Sequence, residues 1–271
     1  AFVADGVEYP PGTYVISMAQ PFRAHAKDLL EIQQYPQRRT TLDAPPERPY
    51  DIAGWTLPLQ MGVKTISVVN QFEVDMARVK DFPSVQGALH SVPEPVAYLF
   101  KNQTNGGTIA VNRLLGRSLA EQRNEIENGE PESEGQETLY WSSRKVTIEG
   151  EEFPRGSILI RTSRIPIHLS SDLQGLAESL GIEIYALNDI PFEDSLSELR
   201  QPRLGLYKPW VGNIDEGWTR WVLERYEFEF EALYDADVRA GQLRERYEVI
   251  VLPDMRPRSI VEGHATGTMP A

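Results

Sequence analysis

The sequence predicts an α/β protein built from doubly wound, mostly parallel sheets. Three observations predict this class. Apolar strand-like runs alternate with helix-like stretches in the last third of the chain, a Gly/Pro turn pattern occurs twice, and each copy of that pattern precedes a helix-like stretch and another apolar run. With 271 residues, 41% of them hydrophobic, the chain can form one large domain or two small ones.

An internal repeat organises the first two thirds of the chain. Gly6–Ile16 and Gly150–Ile160 share Gly, Glu, Pro, Gly and Ile at a constant offset of 150 − 6 = 144 residues. Each copy predicts a Pro-Gly turn that leads into an apolar strand. A predicted helix and a second predicted strand follow in both copies: Phe22–Glu31 and Met61–Val68, then Asp172–Leu180 and Leu180–Leu187. The prediction is a duplicated α/β region over 1–200, with units at about 5–70 and 95–190.

The two copies differ in length and in what precedes them. Gly62 and Gly181, which begin the second strands, lie 181 − 62 = 119 residues apart, so the first copy is longer. The Pro/Arg-rich stretch Tyr35–Tyr50 predicts a surface loop that accounts for much of the difference. The second copy alone has a leader, which predicts a strand, a helix and an acidic loop: Val96–Phe100, Gly107–Leu115 and Glu125–Glu137. We therefore expect Ala1 to lie inside a repeating architecture, in a fragment of a larger chain.

The last third, 201–271, predicts a further α/β unit. Leu204–Tyr207, Phe228–Leu233 and the run that ends at Leu252 have the apolar character of strands. Helix-like stretches separate them, one from Asp215 to Tyr226 and one from Asp235 or Asp237 to Tyr247. Alternation of this kind is typical of parallel sheets. Since such sheets usually continue further, we expect the C-terminus to be cut as well.

Charge and composition exclude several functions. Lys and Arg number 27 against 40 Asp and Glu, so the net charge is 27 − 40 = −13, which repels nucleic acid. No apolar run is long enough to predict a membrane span. The chain has no cysteine, and none of its four histidines lies in a His-x-x-Glu or His-Glu-x-x-His pattern. We expect no metal site, cofactor or catalytic nucleophile within this segment.

One polar and aromatic stretch predicts a ligand site. It lies where the strand ending at Tyr207 turns into the following helix, and in open α/β sheets ligands bind at the carboxyl ends of strands near helix N-termini. The candidate ligand-binding residues are Lys208, Trp210, Asn213, Asp215, Trp218 and Arg220. The alternative is a structural corner in which Asp215 caps the helix and the tryptophans pack beneath it.

The same stretch carries a family resemblance. Gly205–Trp221, with its Lys-Pro-Trp-Val and Asp-Glu-Gly-Trp-Thr-Arg-Trp segments, resembles the C-terminal region of bacterial zinc carboxypeptidase-like proteins. Other segments match as well: Pro11–Ile16, Ala19–Pro21, Ala26–Glu31, Arg48–Pro58, Ala110–Leu115 and Asp235–Pro253. In that family, a carboxypeptidase A-type catalytic domain precedes a region similar to class I glutamine amidotransferases. The resemblance implies flavodoxin-like or amidotransferase-like units, with 201–271 as the start of such a unit.

The resemblance implies a function without assigning catalytic residues. The zinc ligands and catalytic residues of the family belong to the upstream domain, so zinc is expected in that domain and not in this segment. We expect a non-catalytic accessory region that packs on the peptidase domain of the same polypeptide or contributes to binding a peptide or cell-wall ligand, in the periplasm or outside the cell. The alternative is a self-standing α/β module that binds a small molecule or peptide. A hydrolase with its own site has no motif in its favour.

Overall fold

The chain forms mixed α/β units, which confirms the predicted class. A computed structural model describes residues 1–32, 34, 37–48, 56–81, 85–128, 138–161, 169–263 and 267. The chain divides into two compact units, Ala1–Asp81 and Phe82–Ala271. The boundary lies between the two predicted copies of the repeat. Within the described residues, no helix is both long and apolar enough to cross a membrane.

The first unit contains one hairpin and two short helices: β1 (Phe2–Ala4), β2 (Val7–Tyr9), α1 (Arg23–Leu30) and α2 (Leu57–Gln60). β1 and β2 are antiparallel, and the turn residues Asp5 and Gly6 have φ angles of +48° and +75°. Two successive left-handed residues form the type I′ turn, whose twist suits a tight hairpin. α1 confirms the predicted helix, whereas Met61–Val68 does not form the predicted strand. The predicted loop Tyr35–Tyr50 lies partly outside the described residues.

The second unit begins with a six-stranded sheet and two long helices: β3 (Ala88–His90), β4 (Ala97–Phe100), α3 (Asn105–Asn128), β5 (Thr138–Ser142), β6 (Val146–Ile148), β7 (Glu151–Phe153), β8 (Ile158–Arg161), α4 (Leu169–Leu180), β9 (Glu183–Leu187) and β10 (Leu196–Glu198). The sheet order is β10-β5-β8-β4-β9-β3. β3 and β9 are parallel, and the other four neighbouring pairs are antiparallel. β6 and β7 form a separate antiparallel hairpin.

Two interlocked crossovers explain the antiparallel pairing. α3 connects β4 to β5, and α4 connects β8 to β9. Each crossover joins two strands that run in the same direction but skips the strand between them, and that strand belongs to the other crossover and runs the opposite way. This is the split β-α-β arrangement of ferredoxin-like folds. The prediction of a doubly wound, mostly parallel sheet is therefore wrong here, because alternation of strands and helices does not specify which strand lies between the two that a helix connects.

The central strands β4, β8 and β9 are apolar on both faces. On one face, α3 and α4 cover a core that includes the side chains Tyr98, Phe100, Ile160 and Ile184. α4 supplies Leu173, Leu176, Ala177 and Leu180 to this core, which is the i, i+3, i+4, i+7 spacing of a helix face. The opposite face packs against the β6–β7 hairpin in a second core of seven buried residues: Ala97, Leu99, Val146, Phe153, Leu159, Leu187 and Phe192.

The remainder of the second unit is a parallel three-stranded sheet with flanking helices: β11 (Leu204–Tyr207), α5 (Ile214–Arg225), β12 (Glu231–Leu233), α6 (Asp235–Ala240), α7 (Leu243–Arg246), β13 (Val249–Val251) and α8 (Pro257–Val261). Its order is β12-β11-β13, and both pairs are parallel, as predicted. The helix predicted between β12 and β13 is divided into two short ones. Side chains of α3 contact this part of the unit, because Asn112 Nδ2 donates to the Tyr226 carbonyl at 2.7 Å and Arg113 forms two bonds with Glu227.

α3 corrects a further prediction. The expected helix Gly107–Leu115 lies inside α3, but the helix continues to Asn128. The start of the predicted acidic loop, Glu125–Asn128, is therefore helical. Charged and Gln residues are good helix formers, so an acidic stretch can extend a helix as readily as form a loop. The rest of that predicted loop, 129–137, lies outside the described residues.

Turns recur at the repeat offset. The predicted Pro-Gly turns form in both copies, where the amide of Thr13 donates to the Pro10 carbonyl and that of Ser157 to the Pro154 carbonyl. The hairpins β1–β2 and β6–β7 are related by 146 − 2 = 144 residues, and the second turn, Glu149–Gly150, again has positive φ angles, of 50° and 87°. The helices α2 and α4 end in the same closing hydrogen bond. The amide of Val63 donates to the Pro58 carbonyl after α2, and the amide of Ile182 donates to the Ala177 carbonyl after α4, at an offset of 177 − 58 = 119 residues. The strands differ, since Thr13–Ile16 forms none where its counterpart forms β8.

Candidate functional site

The predicted corner lies at the carboxyl edge of the three-stranded parallel sheet. β11 is the central strand and ends at Tyr207. The chain then passes through Lys208 to Gly212 and enters α5 at Ile214. The amide of Lys208 donates to the carbonyl of Leu233 at 2.8 Å, which continues the pairing of β11 with β12 past the end of the strand. The side chain of Lys208 is exposed, as is that of Trp210.

Asn213, not Asp215, caps the helix. Asn213 has extended backbone angles, and its side-chain Oδ1 accepts a hydrogen bond from the amide of Glu216 at 2.9 Å. Its Nδ2 donates to the carbonyl of Asp254, which follows β13, at 3.1 Å. Asp215 lies exposed in the first turn of α5. The prediction of an Asp215 cap is wrong because Asn caps a helix as well as Asp does, and the capping residue lies two positions earlier than expected.

Arg220 is engaged by its own helix. Its Nε and Nη2 donate to Oε1 of Glu216 at 2.9 and 2.6 Å, and its guanidinium lies 5.3 Å from the ring centroid of Phe230. Glu216 is buried, with 7% of its surface exposed, whereas the Arg220 side chain is partly exposed. The pair satisfies a buried carboxylate beside the sheet, so Arg220 is not an open cation at the corner.

The tryptophans do not pack beneath the helix. Trp210, Trp218 and Trp221 are 56%, 62% and 54% exposed. Trp218 and Trp221 contact each other edge to face, with ring centroids 6.0 Å apart. Together with Ile214 and Val222 they occupy positions i, i+4, i+7 and i+8, which is one face of α5. We call Ile214, Trp218, Trp221 and Val222 the tryptophan face. The alternative in which the tryptophans pack beneath the helix is therefore wrong.

A tyrosine and a carboxylate lie at the same edge of the sheet. Tyr207, the last residue of β11, donates from its hydroxyl to Oδ1 of Asp235 at 2.6 Å. Burial, and then the bond to Asp235, raise the pKa of Tyr207 to about 12. The phenol therefore stays protonated as a donor across the physiological range, and it fixes the start of α6 against β11.

A cavity lies at the opposite, amino edge of this sheet. Its volume is about 520 Å³, and the residues preceding all three strands line it, among them Gln201, Arg203, Phe230 and Tyr247. The Tyr247 hydroxyl donates to Glu231 at 3.0 Å and accepts from Arg246 at 2.7 Å. Desolvation, and then the bond to Glu231, raise the pKa of Tyr247. Oε1 of Gln201 is buried and has no hydrogen-bond partner among the described residues. No motif in the sequence marked this cavity, because its residues come from three separated loops.

Neither of the two described histidines, His25 and His90, belongs to a group that could hold a metal ion. Nε2 of His90 lies 2.6 Å from a carboxylate oxygen of Glu183, and its ring stacks on Tyr185. His25 lies in α1, while His168 and His264 fall outside the described residues. In the part of the chain that the structure describes, no three His, Asp or Glu side chains are grouped so that they could hold a metal ion.

Comparisons with known proteins add no relative. No protein-family model matches the chain, and no curated protein or solved structure matches it significantly.

Proposed function

We propose that the chain is a non-catalytic accessory region of a zinc metallocarboxypeptidase-like protein, and that it packs on the peptidase domain of that polypeptide or contributes to substrate binding. The observation that carries the proposal is the tryptophan face. The stretch that most specifically resembles the family, Gly205–Trp221, contains three of the four exposed residues of this face. A row of exposed aromatic and aliphatic side chains of this kind is typical of an interaction surface.

The corner gives this face a rigid support. Asn213 ties the start of α5 to the loop after β13, and the Glu216–Arg220 pair anchors the other side of the helix. The tryptophan side chains therefore project from a fixed backbone and lose little conformational freedom on binding. Trp is the residue type most enriched among those that dominate binding energies at protein interfaces. Lys208, Trp210 and Asn213 remain the candidates for contact with a peptide or cell-wall ligand beside that interface.

The test is binding between the chain and the separately produced peptidase domain of the parent, measured by isothermal titration calorimetry. We expect Trp218→Ala and Trp221→Ala each to weaken binding about tenfold or more, since buried interface tryptophans commonly contribute about 2 kcal/mol. Phe22→Ala is the matched control, because Phe22 is 72% exposed in the first unit and lies outside the tryptophan face. All three variants should keep the circular dichroism spectrum of the parent chain.

Two results would refute the proposal. One is a parent gene that encodes no zinc-ligand set upstream of Ala1. The other is a parent whose peptidase domain binds the Trp218→Ala and Trp221→Ala variants as tightly as it binds the unaltered chain.

The cavity at the amino edge favours a second candidate, a self-standing module that binds a small molecule or peptide. Its lining combines the guanidinium groups of Arg203 and Arg246, each already paired with a carboxylate of the chain, with Glu231 and with Oε1 of Gln201, which has no partner among the described residues. Such a set suits a zwitterion such as a dipeptide. Thermal unfolding with alanyl-alanine as the probe tests it, because a ligand that binds only the folded chain raises the Tm. An unchanged Tm at millimolar dipeptide would count against this candidate, and Gln201→Leu should remove any rise that does occur.

A further inference from the structure

The second core of the second unit has a counterpart in the first unit, where the described residues supply no equivalent of β4. Five of the seven buried residues of that core have an apolar equivalent in the first unit. At the offset of 144 these are Phe2, Tyr9 and Val15, which correspond to Val146, Phe153 and Leu159. At 187 − 68 = 119 and 192 − 72 = 120 they are Val68 and Phe72, which correspond to Leu187 and Phe192. The two residues without an equivalent, Ala97 and Leu99, both belong to β4.

Contacts within the first unit support this correspondence. The ring of Phe2 stacks on both Tyr9 and Phe72, with centroids 5.1 and 5.4 Å apart. The hairpin β1–β2 therefore packs on the Phe72 loop, as the hairpin β6–β7 packs on Phe192. Asp5, in the hairpin turn, accepts hydrogen bonds from the Val69 amide and the Asn70 side chain. The same scaffold of hairpin and aromatic loop occurs in both units.

The equivalents of β8 and β9 are the parts of the first unit that have no sheet. Tyr14–Ile16 and Thr65–Val68 make no backbone hydrogen bond with another described residue. Val15 and Ile16 are 37% and 50% exposed, whereas their counterparts in β8 are fully buried. Ile66 is 43% exposed. Oη of Tyr9 is buried and has no partner among the described residues.

The topology explains why these two segments cannot pair with each other. In the second unit, β8 and β9 are not neighbours, because β4 lies between them and is antiparallel to both. A segment that has equivalents of β8, α4 and β9, but none of β4, therefore has two strands whose shared neighbour in the sheet is absent. Unpaired amide and carbonyl groups on both sides of such a gap accept an extended peptide by β-augmentation.

We propose that Thr13–Ile16 and Val63–Val68 form an acceptor for one extended apolar strand, which the polypeptide upstream of this region in the parent supplies as the counterpart of β4. The inference rests on the proposed function for the source of the strand. The strand inserts between the two segments, runs antiparallel to both, and covers Val15, Ile66 and Val68 with small or aliphatic side chains. Its order in the chain follows the repeat, in which β4 begins 146 − 97 = 49 residues before the hairpin.

The probe is a synthetic peptide with the sequence of β4 and its flanks, Pro95–Asn102, added to the full chain. Hydrogen–deuterium exchange at Tyr14–Ile16 and Thr65–Val68 should be fast in the chain alone and at least tenfold slower with the peptide. A peptide of the same composition in scrambled order should leave exchange unchanged. Val15→Asp and Ile66→Asp should each weaken peptide binding at least tenfold, and Val238→Asp, at a similarly exposed valine of α6 in the second unit, should not.

A second arm identifies the source. The chain extended at its N-terminus by the parental sequence should show the same protection without peptide. Absence of protection in both arms overturns the acceptor. Slower hydrogen exchange at rising concentration of the chain alone, together with a dimer in analytical ultracentrifugation, would show that a second copy supplies the strand. That result overturns the upstream polypeptide as its source. The peptide arm contains no peptidase domain, so a parent without one would refute the proposed function and leave the acceptor standing.

Discussion

The N-cap of α5 gives the sharpest prediction, because the structure assigns the cap to Asn213 whereas the sequence predicts Asp215. Asn213→Ala removes the side-chain oxygen that accepts from the Glu216 amide, a loss that typically costs about 1 kcal/mol of stability. It also removes the Nδ2 donor to the Asp254 carbonyl, a partly exposed bond worth about 0.5 kcal/mol. The expected total is therefore about 1.5 kcal/mol.

Asp215→Ala is the matched comparison. Its exposed carboxylate only interacts with the positive end of the helix, an effect of about 0.5 kcal/mol or less, and Ala has the higher helix propensity. Asn213→Asp keeps the capping oxygen but loses the donor to Asp254, so its cost should lie between those of the other two. Urea unfolding followed by tryptophan fluorescence is the assay, since three exposed tryptophans lie on or beside α5. If Asp215→Ala destabilises the chain as much as Asn213→Ala, the assignment of the cap is refuted.

Three further predictions concern the second unit. The phenol of Tyr207 should titrate with a pKa of about 12 in an absorbance titration, and Asp235→Asn should lower that pKa. The pKa in the folded state is above the ordinary value of 10.0. The stability that this group contributes is therefore present below pH 10 and is lost as the pH rises towards 12. Gly87→Ala should lower the Tm, because the added methyl would lie 2.0 Å from a backbone oxygen, whereas Gly175→Ala, in open space within α4, should raise stability by about 0.5–1 kcal/mol. Arg220→Met leaves the buried carboxylate of Glu216 unpaired and should lower the free energy of unfolding in urea by about 2 kcal/mol. This is less than for a fully buried pair, because the guanidinium is partly exposed. A change near zero would show that the carboxylate is hydrated instead.

Local features could be predicted from the sequence, and pairing could not. The Pro-Gly turns at Gly12 and Gly156, the helix after each of them and the α/β class follow from residue types within a few positions of one another. The sheet order depends on contacts between distant segments, and two interlocked crossovers give the same alternation of strands and helices as a doubly wound sheet. The candidate corner shows the same division. The turn from β11 into α5 follows from the sequence, but the capping residue is Asn213, two positions before the predicted Asp215.

The exposure of the tryptophans shows where periodicity misleads. Apolar residues at i, i+4, i+7 and i+8 indicate a helix face that excludes water, and a core is the usual reason. In α5 the buried side instead contains Glu216 and Arg220, which satisfy each other, while the apolar stripe faces outward. Helical spacing identifies the face but does not distinguish a core of the same chain from an interface with another one. The structure shows that this face is exposed on the chain itself.

The two copies of the repeat show that turns and strands have different requirements. Type I′ turns and the closing bonds of the helices recur at matching positions because glycines and nearest neighbours suffice to specify them. Thr13–Ile16 and Val63–Val68 have the apolar character of their counterparts yet form no ladder, because a ladder also needs a partner strand on which to close its hydrogen bonds. The acceptor proposed above predicts that a β4 counterpart supplies this partner and that the stability of the first unit depends on it, whereas the second unit contains its own β4.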